Sequence, residues 1–232
     1  MDDVRSNALN VMERVAKAAE AAGRSAGDVT LVAASKMNDA QRVREAYAAG
    51  IRAFGENRVQ EMEEKLVLDA YAGAELHFIG HLQRNKVKNV VGKAQLIHSV
   101  DSPELIKLIS ERAEKLGIVQ DVLIEVNIGG EESKSGIRPE QTDELLALAS
   151  GFKGIFVKGL MTIPPVSDDA SKTIRYFDAM TKLFIDMSAK KYDNVIMKIL
   201  SMGMSADFEE AIRAGSNLVR VGTAIFGRRI YT

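Results

Sequence analysis

Short apolar runs rich in β-branched residues recur along this chain, and almost every one is followed by a stretch with helical periodicity. Runs over residues 29–34, 52–54, 76–79, 96–100, 122–126, 156–160, 196–200 and 218–221 read as strands. They are too uniformly apolar to alternate between a wet and a dry face, which is the signature of parallel strands covered on both sides. Helical patterns over 39–49, 59–68, 83–91, 103–116, 140–149, 170–190 and 207–214 separate them, and a further helix precedes the first strand. Eight strands alternating with helices favour a closed parallel (β/α)8 barrel, a TIM barrel with an extra N-terminal helix, over an open doubly wound sheet.

The length of 232 residues suits one such barrel, so residues 1–232 are expected to form a single domain. With 31 basic and 32 acidic side chains there is no global field to draw in nucleic acid or an anionic membrane. The absence of cysteine removes thiol nucleophiles, disulfides and Cys-ligated zinc, and agrees with a reducing, cytoplasmic setting. The opening MDDVRSNALNVMERVAKAAEAAG is charged and helix-periodic, so no export leader is expected, and no apolar run reaches the length of a membrane span.

In a barrel of this kind the loops after the C-terminal ends of the strands carry the chemistry, and those after strands seven and eight often hold phosphate. After strand seven comes Ser201-Met202-Gly203-Met204-Ser205-Ala206-Asp207, and after strand eight Gly222-Thr223-Ala224. Each combines hydroxyls and glycine with the start of a helical segment, where unpaired N–H groups attract anions. Either loop alone reads equally as ordinary capping; the pair together points to a phosphate cradle. Lys36 closes strand one. Its position leaves it open between a solvated charge and an amine that attacks a carbonyl.

His77 and His81 flank strand three and could exchange protons near a phosphate, although packing or solvation accounts for them as well. His98 stands apart in sequence, and the spacing does not suit a metal, so no metal site is expected. The basic run Arg84, Lys86, Lys88 and Lys93 reads as a solvated helix face, and Lys134 in GGEESKSG, on a βα loop near the barrel mouth, likewise reads as a solvated charge. The methionines of LMTIPP and SMGMS read as packing groups.

The ordered segments VAASK, FGENRVQE, HFIGHLQRNK, EVNIGGEESKSG, GLMTIPP, SMGMSADFEEAI and VRVGTAIFG together resemble the YggS/PROSC group of pyridoxal 5′-phosphate (PLP) homeostasis proteins. These are single-domain relatives of the alanine racemase N-terminal barrel, and the resemblance spans nearly the whole chain. It implies PLP as cofactor, held as a Schiff base on Lys36. It further implies a phosphate site at Ser201, Gly203, Met204, Ser205, Gly222 and Thr223, with Arg220 facing the pyridine nitrogen. Asn57, His77 and Asn127 match further pocket positions without a role that the residues themselves explain.

The implied function is intracellular PLP homeostasis by a monomer that buffers the cofactor or delivers it to apo forms of PLP-dependent enzymes, with no robust catalysis. A PLP-dependent amino-acid racemase is the alternative. It would need a second base opposite Lys36, a role Tyr231 is too near the chain end to take, and the chain has no room for the added domain that supplies one in longer racemases. A phosphosugar barrel using the same anion site is a third reading.

Overall fold

A computed structural model describes residues 3–131, 134–165 and 169–227. Eight parallel strands close into a barrel in sequence order: β1 (Thr30–Ala34), β2 (Ala53–Glu56), β3 (Glu75–Phe78), β4 (Leu96–Val100), β5 (Gln120–Glu125), β6 (Ile155–Met161), β7 (Val195–Ser201) and β8 (Leu218–Val221). The closing seam joins β1 to β8 with Thr30 beside Leu218, Val32 beside Arg220 and Ala33 beside Val221. The expected strands are all present. Within the barrel Val32, Ala53, Leu96, Leu123, Met161 and Leu218 pack as one small apolar cluster. The neighbouring positions of each strand face the helices and join the large outer core, as alternation along a strand requires.

The helices are α1 (Val4–Ala21), α2 (Ala40–Ala48), α3 (Val59–Val67), α4 (Val87–Val90), α5 (Pro103–Leu116), α6 (Thr142–Ala149), α7 (Ala170–Ser188), α8 (Phe208–Arg213) and α9 (Thr223–Phe226). Local signals set their ends. Asp39 accepts from the Arg42 N–H at 2.9 Å to start α2, and Ser102 with Pro103 starts α5, which stops at Gly117 in the left-handed region. The extra helix α1 packs on α2, α8 and α9 and so straps the closing seam. Arg14 makes a two-pronged pair with Glu209, both contacts 3.0 Å, and Arg24 donates to the Ser216 carbonyl at 2.7 Å.

Two elements depart from the pattern read in the sequence. The helix expected over 83–91 is a 3-10 turn, Arg84–Lys86, followed by the single turn α4. Val87, Val90 and Val91 are all buried there, and such β-branched residues shorten a helix already ended by Gly92 at φ +83°. Strand β2 runs on to Glu56 rather than stopping at Phe54, and that carboxylate is met behind the strand by Lys65 of the following helix, nine residues on.

Gly159 shows how tightly β6 meets β7. Its φ is +150°, and a Cβ placed there would lie 1.9 Å from the Ile199 carbonyl oxygen, at the point where the register of the two strands shifts. Gly159→Ala is expected to lower unfolding stability by more than about 2 kcal/mol, read as the change in urea midpoint at constant slope.

Candidate functional site

Lys36 follows directly on β1, and alternation from Val32 through Ala34 turns it to the interior side of the barrel at the C-terminal mouth, where it is half-buried. Ser35 faces the opposite way and is anchored. Its hydroxyl donates to Glu56 Oε1 at 2.5 Å, its carbonyl accepts from Lys65 Nζ at 2.7 Å, and its N–H donates to the Gly55 carbonyl at 3.0 Å. Lys65 Nζ also donates to Glu56 Oε1 at 2.6 Å, and the Tyr71 hydroxyl adds a contact of 3.2 Å. Glu56 and Lys65 are both buried. Burial pushes the Glu56 carboxyl up, against the pull of Lys65, and pushes the Tyr71 phenol up as well. This cluster ties the end of β1 to β2 and α3, and so fixes the backbone from which Lys36 projects.

The strand neighbouring β1 at the closing seam leads into the second of the two proposed anion loops. A Cβ on Gly222 would lie 3.2 Å from the Ala34 carbonyl oxygen, so β8 ends in close contact with the strand end that bears Lys36. The loop after β7 is joined to it by Ser205, whose hydroxyl oxygen accepts from the N–H groups of Gly222 at 3.1 Å and Ala224 at 3.3 Å. The Gly203 carbonyl accepts from the Arg220 N–H at 3.0 Å, and Asp207 Oδ1 accepts from the Met204 N–H at 2.6 Å. Among the described residues, the N–H groups of Ser205, Ala206 and Thr223 reach no protein acceptor. Thr223 itself is exposed, and Met204 is half-buried. Asn57, just beyond β2, carries a buried Oδ1 with no hydrogen-bond partner. The structure thus gathers Lys36, Gly203, Met204, Ser205, Gly222 and Thr223 at one end of the barrel, with Asn57 at the end of a neighbouring strand.

Arg220 lies within the barrel, 4% exposed, and donates through Nη2 to the Thr162 carbonyl at 2.8 Å and through Nη1 to the Ser201 hydroxyl. Burial lowers its guanidinium to about 10, opposed by Glu125 and Asp207. Ser201 is fully buried and therefore supports Arg220, apart from the exposed part of its loop. His77 is not brought to the phosphate loops. It lies on the far side of His98 and lines a cavity of 370 Å³ at the N-terminal mouth, together with Glu75, Gln95 and Asp121. Asn127 pins the loop after β5 by donating to the carbonyls of Glu131 at 2.8 Å and Lys134 at 3.3 Å. Lys134, read in the sequence as solvated, is half-buried and donates to the Pro164 carbonyl at 3.0 Å. Glu132, Ser133 and Tyr231 lie outside the described residues.

Sequence reasoning missed His98, the Glu56–Lys65 pair and Glu125. His98, Glu56 and Glu125 each interrupt or close an apolar strand with a polar group, which is the signal that could have found them, while Lys65 is a lysine on α3 that no strand pattern marks. Met161 and Met202 are fully buried packing groups, as expected, while Arg84 and Lys93 face Glu104 at 3.7 Å and Glu63 at 2.6 Å on the outer surface. No group of three or more acidic or histidine side chains among the described residues is placed to hold a metal ion, and none of the described helices is long and apolar enough to cross a membrane.

Two stability outcomes follow from these charges. Lys65→Met leaves Glu56 buried without its cation and is expected to cost about 3 to 5 kcal/mol in chemical denaturation. Glu125 sits at the end of β5, and burial together with Asp101 raises its pKa to about 7, against the pull of Arg220. The native state therefore holds this proton more tightly than the unfolded chain. The associated stability is complete below the ordinary value of 4.5 and is lost as pH rises through about 7. Glu125→Gln should gain stability over the unsubstituted protein as pH rises from 5 to 8, by up to about 3 kcal/mol in paired denaturant titrations.

Residues 8–229 match the family model described as alanine racemase, N-terminal domain. The pyridoxal phosphate homeostasis protein of Aquifex aeolicus is 46% identical over 221 residues, covering 95% of this chain and 96% of that protein. The solved structure of an unknown protein from Bifidobacterium adolescentis superposes with a TM-score of 0.90 at 39% identity, covering 97% of this chain and 94% of the other. PipY of Synechococcus elongatus, solved with PLP bound, gives 0.80 at 32% identity, covering 94% of this chain and all of PipY. The chain belongs to the alanine racemase N-terminal domain family and, within it, to the pyridoxal phosphate homeostasis proteins.

Proposed function

We propose that this protein binds PLP at the C-terminal mouth of its barrel and takes part in PLP homeostasis by holding and releasing the cofactor. The observation that carries the reading is the junction of β1 with β8, where the strand end bearing Lys36 abuts Gly222 and the Ser205-bridged loops. An amine, a set of N–H and hydroxyl donors and a guanidinium are spaced along one seam, which matches an aldehyde, a phosphate and a ring nitrogen on one small molecule. PipY, with its bound PLP, supports the same assignment.

Bound PLP supplies a reactive aldehyde and an aromatic ring that can take up electrons. Lys36 is the attachment amine, and the Ser205, Ala206 and Thr223 N–H groups receive the phosphate. The buried Asn57 amide oxygen is an acceptor at the edge of this pocket. Arg220 presents donors only and keeps its proton, so a ring nitrogen facing it stays unprotonated and the ring is a weaker electron sink. Such a ring is less suited to broad carbanion chemistry. On this reading the recipients are apo forms of PLP-dependent enzymes, met by a monomer in the cytoplasm.

Borohydride reduction of the loaded protein should fix PLP to the peptide containing Lys36, and Lys36→Ala should abolish that adduct. An undiminished adduct in the variant overturns the assignment. With cofactor verified as bound, transfer to an apo-enzyme without deuterium exchange at the α-carbon of a panel of amino acids supports the carrier role; rapid exchange with interconversion of enantiomers supports the racemase.

A further inference from the structure

Five side chains on four strands form an unbroken hydrogen-bonded line across the barrel. Arg220 Nη1 meets the Ser201 hydroxyl, Ser201 Oγ lies 3.1 Å from His98 Nδ1, His98 Nε2 lies 3.1 Å from His77 Nδ1, and His77 Nε2 lies 3.3 Å from Glu75 Oε2. The two imidazole rings are tilted by 43° with centroids 5.1 Å apart. Ser201 and His98 are fully buried and His77 is 3% exposed, whereas the Glu75 side chain is 66% exposed at the N-terminal mouth.

With both imidazoles neutral, the ends dictate the direction of every proton. A guanidinium only donates, so Ser201 Oγ accepts from Arg220 and its single hydrogen points to His98 Nδ1. His98 then carries its proton on Nε2 and donates to His77 Nδ1, and His77 carries its proton on Nε2 and donates to Glu75. An ionised carboxylate only accepts, which closes the line without an unsatisfied group. Burial, with the Arg220 charge acting the same way, holds the His98 pKa well below the ordinary imidazole range, so both roles of a neutral ring are available to it. Turning either imidazole to the other tautomer would set two N–H groups, or two lone pairs, against each other inside the barrel.

We propose that Glu75, His77 and His98 are positioning residues for Arg220, forming a one-way hydrogen-bond chain that couples the N-terminal mouth to the guanidinium at the cofactor site. The last clause rests on the PLP reading above, while the chain itself does not. Removing the carboxylate frees His77 to adopt either tautomer, and the ambiguity passes through His98 to Ser201 and the Arg220 donor.

The test is nitrogen NMR of the histidine and arginine side chains in the cofactor-free protein. The unsubstituted protein should show both His77 and His98 as neutral rings protonated at Nε2. Glu75→Ala, a change at an exposed side chain, should give mixed tautomers and shift the Arg220 Nε–H resonance, whereas Glu75→Gln, which keeps an acceptor oxygen, should restore both. An Nδ1–H or doubly protonated His98, or an Arg220 resonance that Glu75→Ala leaves in place, overturns the proposal. In the same variant the dissociation constant for PLP should rise about three- to tenfold, with that for inorganic phosphate altered less than about twofold. Equal losses for both would mark a general structural effect and overturn the coupling. Failure of the unsubstituted protein to bind PLP would remove the proposed function, while the tautomers and the Arg220 resonance would still decide whether the chain exists.

Discussion

Arg220 carries a full charge into the interior of a closed barrel, and the polar architecture around it follows from what that charge requires. A buried guanidinium costs several kcal/mol in lost hydration unless its donors are met and counter-charge is near. Here the Thr162 carbonyl and the Ser201 hydroxyl take hydrogen bonds, and opposite charge comes from Asp207 and, once it ionises above about pH 7, from Glu125. The interior is therefore split along its length. Val32, Ala53, Leu96, Leu123, Met161 and Leu218 form an apolar plug, and the imidazoles of His77 and His98 cross the same interior as a polar band. Most barrels of this class fill such layers with branched apolar side chains.

A second buried charge does a different task outside the barrel wall. The Glu56–Lys65 pair contacts no part of the mouth, yet it grips the hydroxyl and carbonyl of Ser35, the residue just before Lys36. The lysine stem could swing on a loose strand end. With Ser35 held from behind by three hydrogen-bonding groups and β8 pressed against Ala34 from the side, the root of that stem has little freedom left. The root of Lys36 and the Arg220 guanidinium, the proposed attachment and ring contacts, are thus held by two separate buried polar clusters, one on each side of β1.

Local chemistry made the frame readable from the chain alone. Branched apolar runs marked eight strands, and the Asp39, Ser102 and Gly117 signals marked helix ends. The same reading ended β2 too early, because a lone sequence makes Glu56 look like the start of a loop; only the fold brings Lys65 to it. At the site, the places of Lys36 after a strand and of the Ser205 and Gly222 loops between strand and helix were legible from the chain, whereas their proposed roles were not: position left Lys36 open between a solvated charge and an amine, and the resemblance supplied the rest. His98 was not, since its partners His77 and Ser201 are 21 and 103 residues away and no periodicity links them. The placement of His77 in the cofactor pocket by resemblance alone gives way to a position one imidazole removed from Ser201. Pairings across a barrel are a property of closure and register, which short-range patterns do not encode.

The Ser205 bridge bears on how such a site could release what it binds. Its hydroxyl oxygen accepts from the N–H groups of both Gly222 and Ala224, so those donors are satisfied before any ligand arrives. A phosphate that displaced the hydroxyl would exchange one oxygen acceptor for another. The gain would be the excess of a charge-assisted hydrogen bond over a neutral one, an increment smaller than the value of a bond formed from nothing. The Ser205, Ala206 and Thr223 N–H groups, by contrast, have no protein oxygen to give up among the described residues. A loop that caps part of its own donor set stays ordered when empty and therefore pays little ordering entropy on binding, but it also caps the affinity it can offer. For a catalyst that must retain its cofactor through many turnovers such a compromise is a weakness, whereas for a carrier it keeps uptake and release within reach of each other.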